Sequence, residues 1–106
     1  MTYPEKPYMP QPDTPQEAFV KDLTNVLLGI ENMLVAKNRK YGDAALNPNQ
    51  TFSRVPPIDL INVRMDDKLS RIRNRQNDDD EDPELDLIGY LILKQIARTR
   101  ATRKPT

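Results

Sequence analysis

The sequence has no cysteine, no histidine and no tryptophan. It therefore has no disulfide framework, no Cys/His zinc site, no Cys or His nucleophile and no imidazole acid/base. Any metal would be a hard cation on carboxylates: Mg²⁺, Mn²⁺ or Ca²⁺. Net charge is also absent, since 16 Lys plus Arg balance 16 Asp plus Glu. General nucleic-acid binding, which needs excess basic charge, is not expected. No apolar run approaches the ~20 residues of a membrane span. The opening MTYPEKPYMP lacks the apolar segment of a signal peptide, so a cytoplasmic protein is expected.

What is present fits one small domain of 106 residues. It is 37% hydrophobic and 30% charged, a lean supply for a chain this short. Small domains bury a modest fraction of their surface, so a homo-oligomer, dimer or tetramer, is expected to complete the core. Residues 1–13 read as a flexible Pro-rich arm, with Pro4, Pro7, Pro10 and Pro12 excluding helix and central strand. Tyr3, Tyr8 and Met9 are anchors should the arm lie along a neighbour. Residues 14–97 read as the all-α domain and 98–106 as a basic flexible tail.

Three helices have readable starts. Thr14-Pro15-Gln16-Glu17 is a capping box with proline at the first helical position. Phe19, Leu23, Val26, Leu27, Ile30, Met33 and Leu34 follow at helical spacing, to a stop near Lys40 before Gly42. The stretch 42–57 is a long loop, functional or disordered. A second helix starts near Pro57, carries Ile58, Ile61, Met65, Leu69 and Ile72, and ends near Arg75. A third opens at Asp82-Pro83, with acids at the positive end of its dipole. Its core face reads as Leu85, Ile88, Ile92 and Ile96, widened by Leu87, Leu91 and Leu93. An arc that wide points to burial between several partners. No segment alternates as a strand would, so the fold class is all-α.

At 100° per residue, several charges fall where a core should be. Lys37 lies on the first helix's apolar stripe. Lys68 lies about 60° from the second stripe's centre, with Arg64 and Arg71 beside it and Asp67 at their border. Asp86 sits at the edge of the third helix's core face, on the side of Gly89 and Leu93, with Asp82 one turn earlier. Plain readings exist for most. Lys37 can snorkel past the helix end, Asp82 can be an N-cap, Asp67 and Arg71 can be an i,i+4 pair, and residues 78–82 can be a solvated acidic loop. Asp86 is harder to dismiss, because a carboxylate beside an apolar face is costly unless paired or metal-bound. Together, Lys, Arg and Asp gathered towards one interior suit a nucleotide phosphate with Mg²⁺.

Three stretches stand in order: Lys37-Asn38-Arg39-Lys40-Tyr41-Gly42-Asp43, then Asp66-Asp67-Lys68-Leu69-Ser70-Arg71, then Asp82-Pro83-Glu84-Leu85-Asp86-Leu87-Ile88-Gly89-Tyr90. Over roughly residues 15–97 this resembles the bacteriophage nucleotide modification associated domain, a branch of the MazG-like all-α nucleoside triphosphate pyrophosphatase group. The resemblance implies four-helix units completed by subunit pairing, and acids on two helices holding Mg²⁺, or Mn²⁺, against a nucleotide. By position, Asp66 and Asp67 match the start of the group's E-E-x-x-E cluster. Asp82 and Asp86 match its E-x-x-D, at a spacing of four instead of three. The third acid of the first cluster has no counterpart, since Ser70 and Arg71 stand there.

Three functional readings follow. In the first, a phage-type enzyme splits a nucleoside triphosphate between the α and β phosphates. Asp66, Asp67, Asp82 and Asp86 hold the metal, and Asp67 and Asp86 are the catalytic acids. Lys37, Lys40, Arg64, Lys68 and Arg71 bind phosphate, and Tyr41 or Phe52 stacks on the base. In the second, the same basic residues hold a nucleotide without chemistry, sequestering a cyclic or modified signalling nucleotide. A third reading is a helical assembly module whose charged groups pair with each other.

Overall fold

The computed structural model describes residues 7, 9, 11–75 and 82–103. Helix α1 spans Pro15–Tyr41, α2 spans Pro57–Arg73 and α3 spans Pro83–Arg103. No strand occurs among the described residues, as expected for an all-α chain. None of the three helices is long and apolar enough to cross a membrane.

Each helix begins where its local chemistry allows. Thr14 holds extended backbone, and its Oγ1 accepts the Glu17 N–H at 3.1 Å while its hydroxyl donates to Glu17 Oε1 at 2.9 Å. One of the open N–H groups at the start of α1 is thereby satisfied, and the two side chains hold each other in place. The helix stops at Gly42, whose φ of 63° is costly for a residue with a Cβ. Helix α2 starts on Pro57 without a side-chain cap. It ends where the Asn74 N–H returns to Ser70 O and Ile72 O, and where Arg75 turns to φ 53°. Asp82 caps α3, with Oδ1 accepting the Glu84 and Leu85 N–H groups at 3.1 Å each.

The third helix is longer than expected. Residues 98–103, expected within a flexible basic tail, continue α3. Arg100 donates to Asp43 Oδ2 at 2.6 Å, and Asn38 donates to Asp43 Oδ1 at 3.0 Å. The chain leaving α1 is thus tied to the far end of α3. The loop that follows is closed by one side chain: Gln50 accepts the Val55 N–H at 2.7 Å and donates to Val55 O at 2.8 Å. Phe52 stands fully exposed inside that closure.

Helix α3 packs along α2 and meets α1 over a short stretch. The apolar core of the described residues is small: Ile30, Ile61 and Met65. One position of the expected α2 face is displaced, since Ile58, Ile61, Met65 and Ile72 do point inward, and the expected α3 face is rotated. On α2, Leu69 is half exposed while Lys68 is buried. On α3, Ile88 and Ile96 look outward, and the buried positions are Asp86 and Gly89. The edge of the expected face is therefore its centre. Gly89 explains the rotation, because a Cβ there would stand 3.2 Å from Leu34 Cδ2 and 3.2 Å from Met33 Cε. The missing side chain lets α1 seat closely on that side of α3.

A larger residue at this crossing should therefore separate the helices. Gly89→Val is expected to cost about 1–3 kcal/mol by overpacking, read as a lower thermal unfolding midpoint by circular dichroism. An unchanged midpoint would mean that α1 does not seat on Gly89.

Candidate functional site

One turn before Gly89, three helices converge on a single carboxylate. Lys37 of α1 donates to Asp86 Oδ1 at 2.8 Å, and Lys68 of α2 lies 3.3 Å from Asp86 Oδ2. The Asp86 side chain is 8% exposed and that of Lys68 11%, whereas Lys37 keeps 52% of its side chain in solvent. Helical geometry produces this meeting. Lys37 is seven residues, about two turns, beyond buried Ile30. Lys68 is three beyond buried Met65, and Asp86 is three before buried Gly89. Each charge therefore continues the inward face of its helix.

Burial alone would push the Asp86 pKa up. Hydrogen bonding and charge from Lys37, then from Lys68, outweigh it and bring the pKa below the ordinary 3.8. The carboxyl is an anion held by two cations, and the three groups sum to one positive charge. At Asp43 the Arg100 hydrogen bond has the largest effect and also lowers the pKa below 3.8.

The other expected site residues are distributed differently. Arg71 donates to Asp67 at 3.1 Å across one helical turn. Lys40 lies 5.2 Å over the ring of Tyr41, which is exposed at the end of α1. Arg64 and Asp66 are exposed on α2. Asp82 uses Oδ1 on the α3 cap. A second feature adjoins the lysine centre. Arg71, Ile72, Arg75, Asp82, Pro83 and Glu84 line an open cleft of about 290 Å³ between the end of α2 and the start of α3. Arg71 is three residues beyond Lys68, about 4.5 Å along the axis.

The structure thus brings Lys37, Lys68 and Asp86 together, and separately Arg71 and Asp82. It does not gather Asp66, Asp67, Asp82 and Asp86 into one cluster. Among the described residues, no group of three or more acids is placed to hold a metal ion. Both Asp86 oxygens face ammonium groups as arranged. The acidic run over 78–81 lies outside the described residues. The Arg100–Asp43–Asn38 set and Arg75 were missed by sequence reasoning. Arg100 sat in what read as a tail, and no local spacing links residues 57 positions apart. No protein-family model, curated protein or solved structure matches the chain.

The lysine centre has a pH signature. Because the folded pKa of Asp86 is lowered, its stabilisation is complete above the unfolded value, near 3.8, and is lost as pH falls through the folded value. Asp86→Asn leaves two lysines facing a neutral group, at a cost of about 3 kcal/mol for breaking a buried ion pair. Lys37→Ala should cost less than Asp86→Asn, because Lys68 still faces the carboxylate. Urea unfolding at pH 7 and pH 3 checks both. In Asp86→Asn, the stability lost between those pH values should shrink; an unchanged loss would remove Asp86 as its source.

Proposed function

We propose that the protein binds the phosphate groups of a nucleotide at the α1–α2–α3 junction and acts as a homo-oligomer. The observation that supports this best is the convergence of Lys37 and Lys68 on Asp86. The carboxylate fixes the position of two ammonium groups. Lys37, with half of its side chain in water, is the group an incoming anion meets. Arg71 and Arg75 line the adjoining cleft together with Asp82 and Glu84, so the guanidinium groups there are the ones a further phosphate would meet. Tyr41, exposed one turn beyond Lys37, offers a face for a base. The resemblance to the phage nucleotide modification domain points to the same ligand class. Capture of a cyclic or modified signalling nucleotide is the form of this reading that asks least of the acids.

The catalytic form, release of pyrophosphate from a nucleoside triphosphate, asks more. Its specific support is that Asp82 and Glu84 share the cleft with Arg71 and Arg75. It also requires Asp86 to give up its lysines for a divalent cation.

Calorimetric titration with a panel of ribo- and deoxynucleotides, first in EDTA and then in Mg²⁺ or Mn²⁺, separates the two. Metal-free binding weakened at least about tenfold, or about 1.4 kcal/mol, in Lys37→Ala supports capture. Pyrophosphate release that needs metal and is abolished in Asp86→Asn supports hydrolysis. No heat from any nucleotide under either condition ends both.

A further inference from the structure

The N-terminal half of α1 is bare because of how the helices run. Met33 and Leu34 of α1 meet Gly89 of α3, and further along both chains Asp43 meets Arg100. The two helices therefore run in the same general sense, and the first turns of α1 lie beyond the start of α3 at Pro83. Between Pro15 and Gly29 no residue is buried. Phe19 is 62% and Val26 60% exposed, with Val20, Leu23 and Leu27 close behind. These five side chains lie within about 60° of Leu23 around the helix, in one stripe with buried Ile30.

The borders of that stripe are acidic. Glu17 and Glu31 lie on one side, about 120° and 80° from Leu23, and Asp22 lies about 100° away on the other. The stretch from Pro15 to Glu31 holds one cation, Lys21. It points to the opposite side, about 160° from Leu23, and pairs with Asp13 at 2.7 Å. Among the described residues, Asp22 and Glu31 have no ion-pair partner. Asp82 and Glu84, both exposed, add acids at the end of α3 nearest the bare stretch.

We infer that the uncovered stripe of α1 is a docking surface for an amphipathic helix of another protein, one whose apolar seam is bordered by Lys or Arg. An apolar stripe that is continuous with an established helix–helix contact, and then runs on uncovered, is half of an interface. Its rim selects the partner, because charges around an apolar contact set specificity and orientation. Over the bare stretch a second copy of this chain brings more acids and no cation to meet them. The same rim repels an anionic membrane or a nucleic acid. Residues 11–14 enter α1 from the far side, where Asp13 meets Lys21. A basic amphipathic helix satisfies both features at once: its seam covers Leu23 and Val26, and its borders meet Asp22, Glu17 and Glu31. The inference stands apart from the nucleotide reading and needs no ligand. It leaves other apolar positions for self-association, such as Ile88 and Leu91, which face outward on α3.

The probe is a synthetic helical peptide of about 20 residues, with leucine along its seam and lysine at both borders. Its control carries glutamate at the same border positions. In fluorescence anisotropy the full chain should bind the lysine peptide at least about tenfold more tightly than the control. Leu23→Ser combined with Val26→Ser should remove that binding while the circular dichroism spectrum stays the same, since both side chains are exposed. Asp22→Lys combined with Glu31→Lys should reverse the preference towards the glutamate peptide. Lys37→Ala, which tests nucleotide capture, should leave the peptide affinity unchanged. Equal affinity for the two peptides overturns the inference, as does binding that survives the Leu23 and Val26 substitutions or a preference that the charge exchange does not reverse. A fall in the mass of the free protein on the Leu23 and Val26 substitutions also overturns it, by showing that a second copy covers the stripe. So does binding to phosphatidylglycerol vesicles that is lost in the same variant.

Discussion

The structure depends on one carboxylate shared by three helices. Asp86 has left water, a step that costs several kcal/mol for a charge of its size. It recovers that cost through a hydrogen bond from Lys37 and an ion pair with Lys68, one on each oxygen. Lys37 stays half in solvent, so only part of its own hydration is lost. The net stabilisation of such a centre is small, but its geometric demand is large. If α1 slid by one turn, about 5.4 Å, Lys37 would no longer reach Asp86. The same shift would move Met33 and Leu34 away from Gly89, where the absence of a side chain admits them closely. Charge and shape thus specify the same register of α1 on α3.

The centre matters more because the apolar core is thin. Three buried apolar side chains among the described residues cannot by themselves offset the ordering of those residues. Local devices share the work. They include the Thr14–Glu17 pair, the Asp82 cap, the Gln50–Val55 closure and the Arg100–Asp43 tie. These hold each segment in shape but add little burial. The missing hydrophobic stabilisation is visible on α1, where large apolar side chains face outward over about four turns.

What sequence could and could not tell follows from the range of each interaction. Helix starts depend on residues within one turn, and Thr14, Pro57 and Asp82 sit where spacing put them. The Asp67–Arg71 pair is of the same kind. Asp86 could be singled out as expensive, because a carboxylate beside an apolar arc needs a partner. The nature of the partner was not legible, since Lys37 lies 49 residues away and a metal would have met the same need. The face of α3 was illegible for another reason. Its apolar residues occur almost all round, so periodicity had no strong preference, and one glycine in contact with α1 decided the matter. On α1 the stripe was evident along its whole length. How much of it α3 would cover depends on where the helices cross, which no local pattern contains.

The neutral composition hides a consequence of placing these features on one rod. Helix α1 runs 27 residues without interruption, about 40 Å. Its C-terminal turns carry Lys37 into the charged centre, and its N-terminal turns carry the uncovered stripe. A straight helix transmits displacement at one end to the other, because its hydrogen-bonded turns bend only gently. Anything that seats the stripe therefore restricts how Lys37 presents itself to an anion, and an anion drawing on Lys37 alters its hold on Asp86. By linkage, the two events favour each other only so far as both prefer the same seating of α1 on Gly89.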